Sequence, residues 1–474
     1  MAARLASGGL AWPRLAGVWL FLLALAHGSL YAALTPPWQA PDEIAHFEYA
    51  WLLGRLRHPL WIENASPDLE RGIIQSLYAF HAWDYVGLTA PAVPPERLAD
   101  APFYGLSRTL TRFSLSYVLY AAVGPAFGGA GLLAELYAMR AVSVVLGALV
   151  VVLTYHLARL AQPDSPALAW GSALFVLLLP QHAYLAGAVS DAPLAEVLAT
   201  VCVYGVVRAG RYGLTWPWLA VISLSAVGAL AAKTTALFLV PLLALSALGG
   251  ARHWYQAPSR TAAERRRAAW AVGLSAPALA VGGWFTLAWI NRLSSQLVNV
   301  TLTLIETLGH PSAWAAYLRQ LFSSGAFTAA WAQTLESAWA YFGWMVVRLP
   351  PAWLLLPNAL LVLALAGWAW RWAARRAQGQ APTRPYAPLA LAAGLAGLIL
   401  SAWFLTAPVG LGYSQGRYLF AAIAPLAVLL TAGWLSWRPA REHGFVVLAL
   451  LAAWMTFDAA ALFGVLVPYF YRLG

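Results

Sequence analysis

The stretch Ala138-Met-Arg-Ala-Val-Ser-Val-Val-Leu-Gly-Ala-Leu-Val-Val-Val-Leu-Thr-Tyr-His-Leu-Ala158 decides the fold class. Beyond Arg140 it carries no acid, arginine or lysine for a length close to the ~20 residues that cross ~30 Å of hydrocarbon at ~1.5 Å rise per residue. Comparable runs recur at about 15–34, 168–188, 192–209, 214–231, 234–250, 269–290, 351–371, 386–407, 417–437 and 444–466, so eleven spans are expected. Residues 113–128 form a further apolar stretch, short and broken by Gly124-Pro125. The composition agrees, because 61% of the 474 residues are hydrophobic and only 10% are charged, against ~45–50% and ~25% in soluble domains. A soluble globular protein is excluded, and so is disorder, which needs low hydrophobicity. The expected fold is an all-α polytopic transmembrane helical bundle, one integral membrane domain over residues 1–474.

Charge orients this bundle. The net charge is +11, but the basic residues lie scattered beside apolar runs rather than on a soluble face. Membrane lipids are therefore the expected partners and nucleic acid is not. If 113–128 stays on one surface, the connections on the N-terminal side hold 16 of the 29 basic residues and 3 of the 18 acidic ones. Positive residues are retained on the cytoplasmic side. The expectation is a multi-pass protein of the plasma membrane with a cytoplasmic N-terminus, an exoplasmic C-terminus, and 113–128 as an interfacial or re-entrant helix outside. With Cys202→Ser as background, Arg260→Cys and Gln380→Cys should resist an impermeant thiol reagent while Ala90→Cys reacts. Labelling of position 260 from outside would reverse the orientation.

The first apolar run is preceded by Arg4 and Arg14 and followed by small residues after Tyr31, as in a cleaved signal peptide. Its length exceeds the usual ~7 to 15-residue signal core, so a retained span is expected. The single cysteine, Cys202, lies in an apolar run and leaves no intrachain disulfide, redox pair or multi-cysteine metal site.

Two outer connections are long, about 35–137 and about 291–350. The first holds ten of the 18 acidic residues, which makes it the place to seek polar chemistry. The inner connections are short and contain neither a GxxxxGK[ST] loop nor a GxGxxG turn between strand and helix. No cytoplasmic nucleotide-binding domain is expected, so an activated substrate arrives from the outer side or from within the bilayer.

Directly after the first span the chain reads Thr35-Pro-Pro-Trp-Gln-Ala-Pro-Asp-Glu-Ile-Ala-His-Phe-Glu-Tyr49. The prolines halt the span and Pro41 can open a new helix. On that helix Asp42 and His46 are four apart and Glu43 and His46 three apart, a spacing that sets the imidazole beside both carboxylates. Two local readings stand. Acids at a helix start satisfy free amides and the helix dipole, or they form a reactive group at the membrane surface. Asp42, Glu43 and His46 are also oxygen and nitrogen ligands of the kind a divalent metal accepts, and this is the one cofactor the sequence leaves open.

The box Pro41-Asp42-Glu43-Ile44-Ala45-His46-Phe47 resembles that of a bacterial membrane family within the GT-C superfamily, related to protein O-mannosyltransferases and aminoarabinose transferases. Further matches are Arg140-Ala-Val-Ser-Val-Val, Leu179-Pro180 followed by Ser190-Asp191, Lys233-Thr234, Phe342-Gly343-Trp344 and Gln415-Gly416-Arg417-Tyr418. The resemblance covers nearly the whole chain. It implies a GT-C-like membrane glycosyltransferase that uses a polyprenyl-phosphate-linked sugar, with an acid of the first outer loop as base in an inverting transfer. One departure concerns the second juxtamembrane helix, where those transferases often carry a basic-Pro or Pro-Pro element and this chain reads Arg112-Phe-Ser-Leu-Ser-Tyr117.

Such a transfer needs a base for the acceptor hydroxyl, stabilisation of an oxocarbenium-like sugar, and positive groups for the departing phosphate. Asp42 is assigned as the base, with Glu43 positioning the acceptor or binding a metal. Asp191 either supplies a second carboxylate or caps the helix at 192–209. His46 orients Asp42, binds phosphate or merely hydrogen-bonds at the interface. Arg417, after a Gly-containing turn, can grip phosphate with two prongs, or snorkel to the boundary. Lys233, the only lysine, is the second phosphate candidate or a surface anchor. The acceptor is an exoplasmic group that the sequence does not name. One rival is a transporter or flippase of lipid-linked or small solutes, which requires charged residues on several spans at mid-membrane. The other is a non-catalytic envelope-assembly protein.

Overall fold

The computed structural model describes residues 11–58, 60, 62–85, 113–255, 325–379, 386–405 and 415–471, with a few further positions between 310 and 323. Within the first loop and its flanks the helices are α1 (Ala11–Leu34), α2 (Glu43–Leu56), α3 (Pro67–Ala79), α4 (Ala82–Tyr85) and α5 (Ser116–Val123). Then come α6 (Leu132–Ala161), α7 (Pro166–Leu177), α8 (Pro180–Ala186), α9 (Ala192–Tyr212), α10 (Trp216–Ala232) and α11 (Leu239–Tyr255). The later part contains α12 (Ala326–Trp339), α13 (Pro351–Ala377), α14 (Ala387–Leu405), α15 (Ile423–Leu435), α16 (His443–Ala461) and α17 (Val467–Tyr471). A two-stranded antiparallel hairpin, β1 (Tyr341–Phe342) with β2 (Val347–Arg348), interrupts the all-helical expectation.

Among the described residues six segments are long and apolar enough to cross a membrane: α1, α6, α9, α13, Gly416–Leu435 and Ala440–Tyr471. α7 and α8 would make a seventh but are bent by 61°. The break has a local cause, since Pro180 has no N–H to donate and biases Leu179 to the extended conformation it adopts, φ −77° and ψ 108°. Three shorter apolar helices, Trp216–Ala232, Thr234–Leu248 and Ala387–Leu398, fall on three more of the expected runs. The run 269–290 lies outside the described residues.

The stretch 113–128 becomes α5 followed by a 3₁₀ turn, Gly124–Ala130. At 8 residues α5 is only about 12 Å long, and it lies against α2 and α6. The second span starts earlier than its apolar run, because α6 opens at Leu132 and carries Glu135 on its first turn. That carboxylate is held by Arg55 Nη2 at 2.7 Å and Trp51 Nε1 at 3.2 Å. Arg140 therefore sits well inside a helix.

α6 is the central element and packs on α1, α7, α9 and α15. Leu20 and Tyr31 of α1 are fully buried in this core, so the first run is an integral helix of the bundle. On α13 and α15 the backbones touch: a Cβ on Gly367 would meet the carbonyl of Gly433, and one on Gly433 that of Ala364. Small residues at such crossings let two spans approach closely enough to gain dispersion contact along their length. A second, smaller core belongs to the first loop, where Trp38, Ile44 and Phe47 pack with Ile73 and Leu77 of α3, Tyr117 and Tyr120 of α5, and Met139 of α6. α3 is started by Ser66, whose hydroxyl accepts from Leu69 N at 3.3 Å.

Candidate functional site

The link from α1 to α2 is fixed by one buried ion pair. Glu43, the first residue of α2, has a fully buried side chain and faces Arg140 of α6, which is 1% exposed. Its Oε1 accepts from Arg140 Nε at 2.8 Å and from the Val189 amide at 3.1 Å; its Oε2 accepts from Arg140 Nη2 at 2.7 Å and from the Trp38 amide at 3.1 Å. Arg140 also donates to the carbonyls of Ala32, Thr35 and Pro36 at 2.9, 2.7 and 3.1 Å. The guanidinium thus closes the C-terminal end of α1, where free carbonyls need donors. Glu43 does not pair with His46, as the sequence spacing implied: both its oxygens are filled by Arg140 and by backbone amides.

Between these anchors the backbone takes two positive-φ turns, at Trp38 (φ 68°) and Asp42 (φ 60°). For a bulky residue such as Trp this region is sterically costly and persists only where the surroundings enforce it. Here the Trp38 amide is held by Glu43, its Nε1 donates to Ser76 Oγ at 2.7 Å, and its carbonyl accepts from Trp344 Nε1 at 3.0 Å. Asp42 consequently precedes the helix instead of lying on it, and its side chain makes no capping hydrogen bond. It projects outward with 48% of the side chain exposed.

Five of the residues singled out in the sequence come together around this turn. Arg417 Nη2 stands 3.9 Å from Asp42 Oδ2, and Lys233 is ion-paired with Asp191. His46 feels the negative charge of Asp191 and Asp42 and the positive charge of Lys233 and Arg417. Burial dominates these influences and lowers the imidazole below its ordinary range, so His46 is neutral at pH 7. Its Nδ1 shares a 2.7 Å hydrogen bond with the Tyr117 hydroxyl, which burial keeps protonated. Burial opposes ionisation of Asp191, yet the Lys233 ammonium, with a smaller contribution from Arg417, outweighs it and holds this carboxyl below the usual range. Asp191 makes no capping bond at the start of α9; Ser190 Oγ takes that role, accepting from Ala192 N at 3.3 Å. The spacing-based picture of an imidazole between Asp42 and Glu43 is thus replaced by one between Asp42 and Asp191.

The supporting groups were not evident as such in the sequence. Ser114 Oγ donates to the Ala232 carbonyl at 2.8 Å, Ser116 Oγ to the Asp191 carbonyl at 3.1 Å, and the Tyr120 hydroxyl to the Ser190 carbonyl at 2.8 Å. α5 therefore ties the loops that carry Asp191 and Lys233 to α2, and the segment Phe113-Ser-Leu-Ser-Tyr117 does this without a proline element. On the opposite side Arg417 rides on the 3₁₀ turn Gly416–Ala422. The Gly416 amide donates to Ser337 Oγ of α12 at 2.8 Å, and a Cβ there would stand 2.5 Å from that of Ala338. Only glycine lets the turn lie flat on α12. The hairpin completes the frame, with Tyr341 N donating to Gln181 Oε1 at 2.7 Å and Tyr184 Oη donating to the Gln39 carbonyl at 2.7 Å.

Two features of the cluster bear on chemistry. Arg417 Nε is buried without a hydrogen-bond partner among the described residues, and the 3.9 Å separation leaves the Asp42 and Arg417 groups paired in charge but not hydrogen-bonded. Among the described residues no set of three or more His, Cys, Asp or Glu side chains is grouped to hold a metal. Of the suggested trio, Glu43 is already saturated.

Residues 25–430 match the family model described as "Predicted membrane protein (DUF2142)". The chain belongs to this family. No curated protein matches it.

Proposed function

We propose that this family member is a membrane glycosyltransferase that moves a sugar from a polyprenyl-phosphate-linked donor to an acceptor hydroxyl on the outer face, with inversion. The observation that carries the reading is the pairing of Asp42 and Arg417: a half-exposed carboxylate beside a guanidinium whose donors are not consumed by it. Asp42 takes the proton of the acceptor hydroxyl as its oxygen bonds to the anomeric carbon. The bond from that carbon to the donor phosphate breaks in the same displacement, and polyprenyl phosphate leaves with its charge met by Arg417. Lys233, ion-paired with Asp191, stands nearby as a second cation for the phosphate once that pair opens. Neutral His46, fixed by Tyr117, keeps the floor of the site polar without adding charge. Glu43 acts through Arg140 as a positioning group for the turn that presents Asp42.

The reading is tested at Arg417. Arg417→Ala should weaken binding of a polyprenyl-phosphate hexose about tenfold to a hundredfold, the value of a hydrogen bond to a charged group, and Arg417→Lys should restore only part because a point charge lacks the two-pronged fork. Unchanged donor affinity in a folded Arg417→Ala protein assigns this arginine to simple anchoring at the boundary.

A second reading is favoured by a specific observation. Titratable pairs inside the bundle, His27 with Asp458 and His182 with Glu196, together with the broken pair α7 and α8, are features that transporters use. A transporter moves the lipid-linked sugar intact, whereas a transferase cleaves it.

A further inference from the structure

Inside the bundle, beneath the cluster of Asp42 and Asp191, lies a group of titratable side chains that sugar transfer does not use. Asp458 of α16 accepts from the Tyr31 hydroxyl at 2.8 Å on one oxygen, and its other oxygen lies 2.8 Å from His27 Nε2. His182 of α8 and Glu196 of α9 form a second acid and imidazole pair, Nε2 to Oε2 3.2 Å, with side chains 4% and 6% exposed. The distance is short enough for an ion pair, but the geometry leaves His182 Nε2 without a hydrogen bond. Ionisable residues at this depth are expensive to keep and usually face a cavity or one another. Here they do both.

Both histidines line one small, half-open cavity of about 10 Å³, whose walls also include Ala24, Gly28 and Gly147. That is about the space one water requires. Along the lining, which comes from α1, α6, α7 and α8, the two histidines are the titratable residues, with Tyr31, Asp458 and Glu196 behind them. The Cε1 edge of His182 lies 3.9 Å from where a Cβ on Gly147 would stand, so the imidazole edge is turned to this wall. An apolar cavity of this size stays dry; one with two imidazoles on its wall offers a water its hydrogen-bond partners. Glu196 is five residues along α9 from Asp191, about 7 Å below the outer cluster at ~1.5 Å per residue.

We propose that a water in this cavity joins the two pairs into one proton-binding site inside the bundle. A proton taken up resides on one imidazole, balanced by its carboxylate partner. It passes to the other ring when the first N–H donates to the water oxygen and the water donates to the second ring nitrogen. No covalent bond to carbon changes and charge is conserved. The site stands whether or not the outer cluster transfers sugar.

The experiment uses full-length protein labelled with ¹⁵N-histidine in phosphatidylcholine nanodiscs, with His27→Gln and His182→Gln identifying the two resonances. The two rings should titrate as a coupled pair, and Asp458→Asn, which removes the partner of His27, should also move the His182 midpoint by about tenfold in proton affinity, the threshold for coupled groups. Glu196→Gln should do the reciprocal to His27. Ala24→Val, which fills the cavity, should abolish the cross-effect while each ring still responds to its own acid. If Asp458→Asn moves only His27, and Glu196→Gln only His182, the two pairs are independent and the proposal fails. If one acid variant does not fold, the other and Ala24→Val decide in the same way.

Discussion

Asp42→Asn is expected to lower sugar transfer by ~10²- to 10⁴-fold, the usual contribution of a positioned base, with the protein still folded. At ~1.36 kcal/mol per tenfold this is about 2.7 to 5.5 kcal/mol of barrier. The stability side is small for three structural reasons. The carboxylate makes no capping bond at α2, its side chain is 48% exposed, and asparagine tolerates the positive φ of this position as aspartate does. The loss of a working cap would cost ~0.5 to 2 kcal/mol, and here there is no side-chain cap to lose. Initial rates and thermal unfolding on the same purified samples separate the two effects. A stable variant transferring sugar at near wild-type rate removes Asp42 from the chemistry.

Arg140→Met should show the opposite signature, a loss of stability of about 3–5 kcal/mol. The substitution strands the Glu43 carboxylate, fully buried, and withdraws the donors of three carbonyls at the end of α1. Glu43→Gln should destabilise by a similar mechanism, so any activity it loses follows from displacement of the turn at 38–42. The double variant Arg140→Met with Glu43→Gln should recover part of the loss, because neither charge is then left unpaired. Denaturant unfolding in detergent measures all three. A loss below about 1 kcal/mol in Arg140→Met would mean that the pair does not hold the turn.

The helical membrane fold was legible in the apolar runs because a span must satisfy its own backbone hydrogen bonds and shield them with apolar side chains. What the runs do not encode is a break such as that at Pro180, where 168–188 reads as one continuous span and the chain bends by 61°. At the site, spacing along a helix located Asp42, Glu43 and His46 but misjudged their directions. The helix starts at Glu43, not Pro41, and the positive φ at Asp42 turns its carboxylate away from the face Glu43 occupies. Arg140 had a readable signal, since a charge within an apolar run needs a partner. The partner, 97 positions earlier, was not readable from spacing. Ser114, Ser116 and Tyr120 act through backbone carbonyls, a role that leaves no pattern in residue type. Asp191 offered two readings, and the neighbouring Ser190 resolved its capping part.

Cleavage of a lipid-linked sugar at the cluster of Asp42 and Arg417, as proposed, is tested most directly by wild-type protein in liposomes carrying a radiolabelled polyprenyl-phosphate hexose, with a cell-envelope extract added outside as acceptor. The expected result is free polyprenyl phosphate and label transferred to the extract with inverted anomeric configuration, both absent with Asp42→Asn protein. Recovery of the donor intact, whether it stays in place or appears in the opposite leaflet, would contradict it.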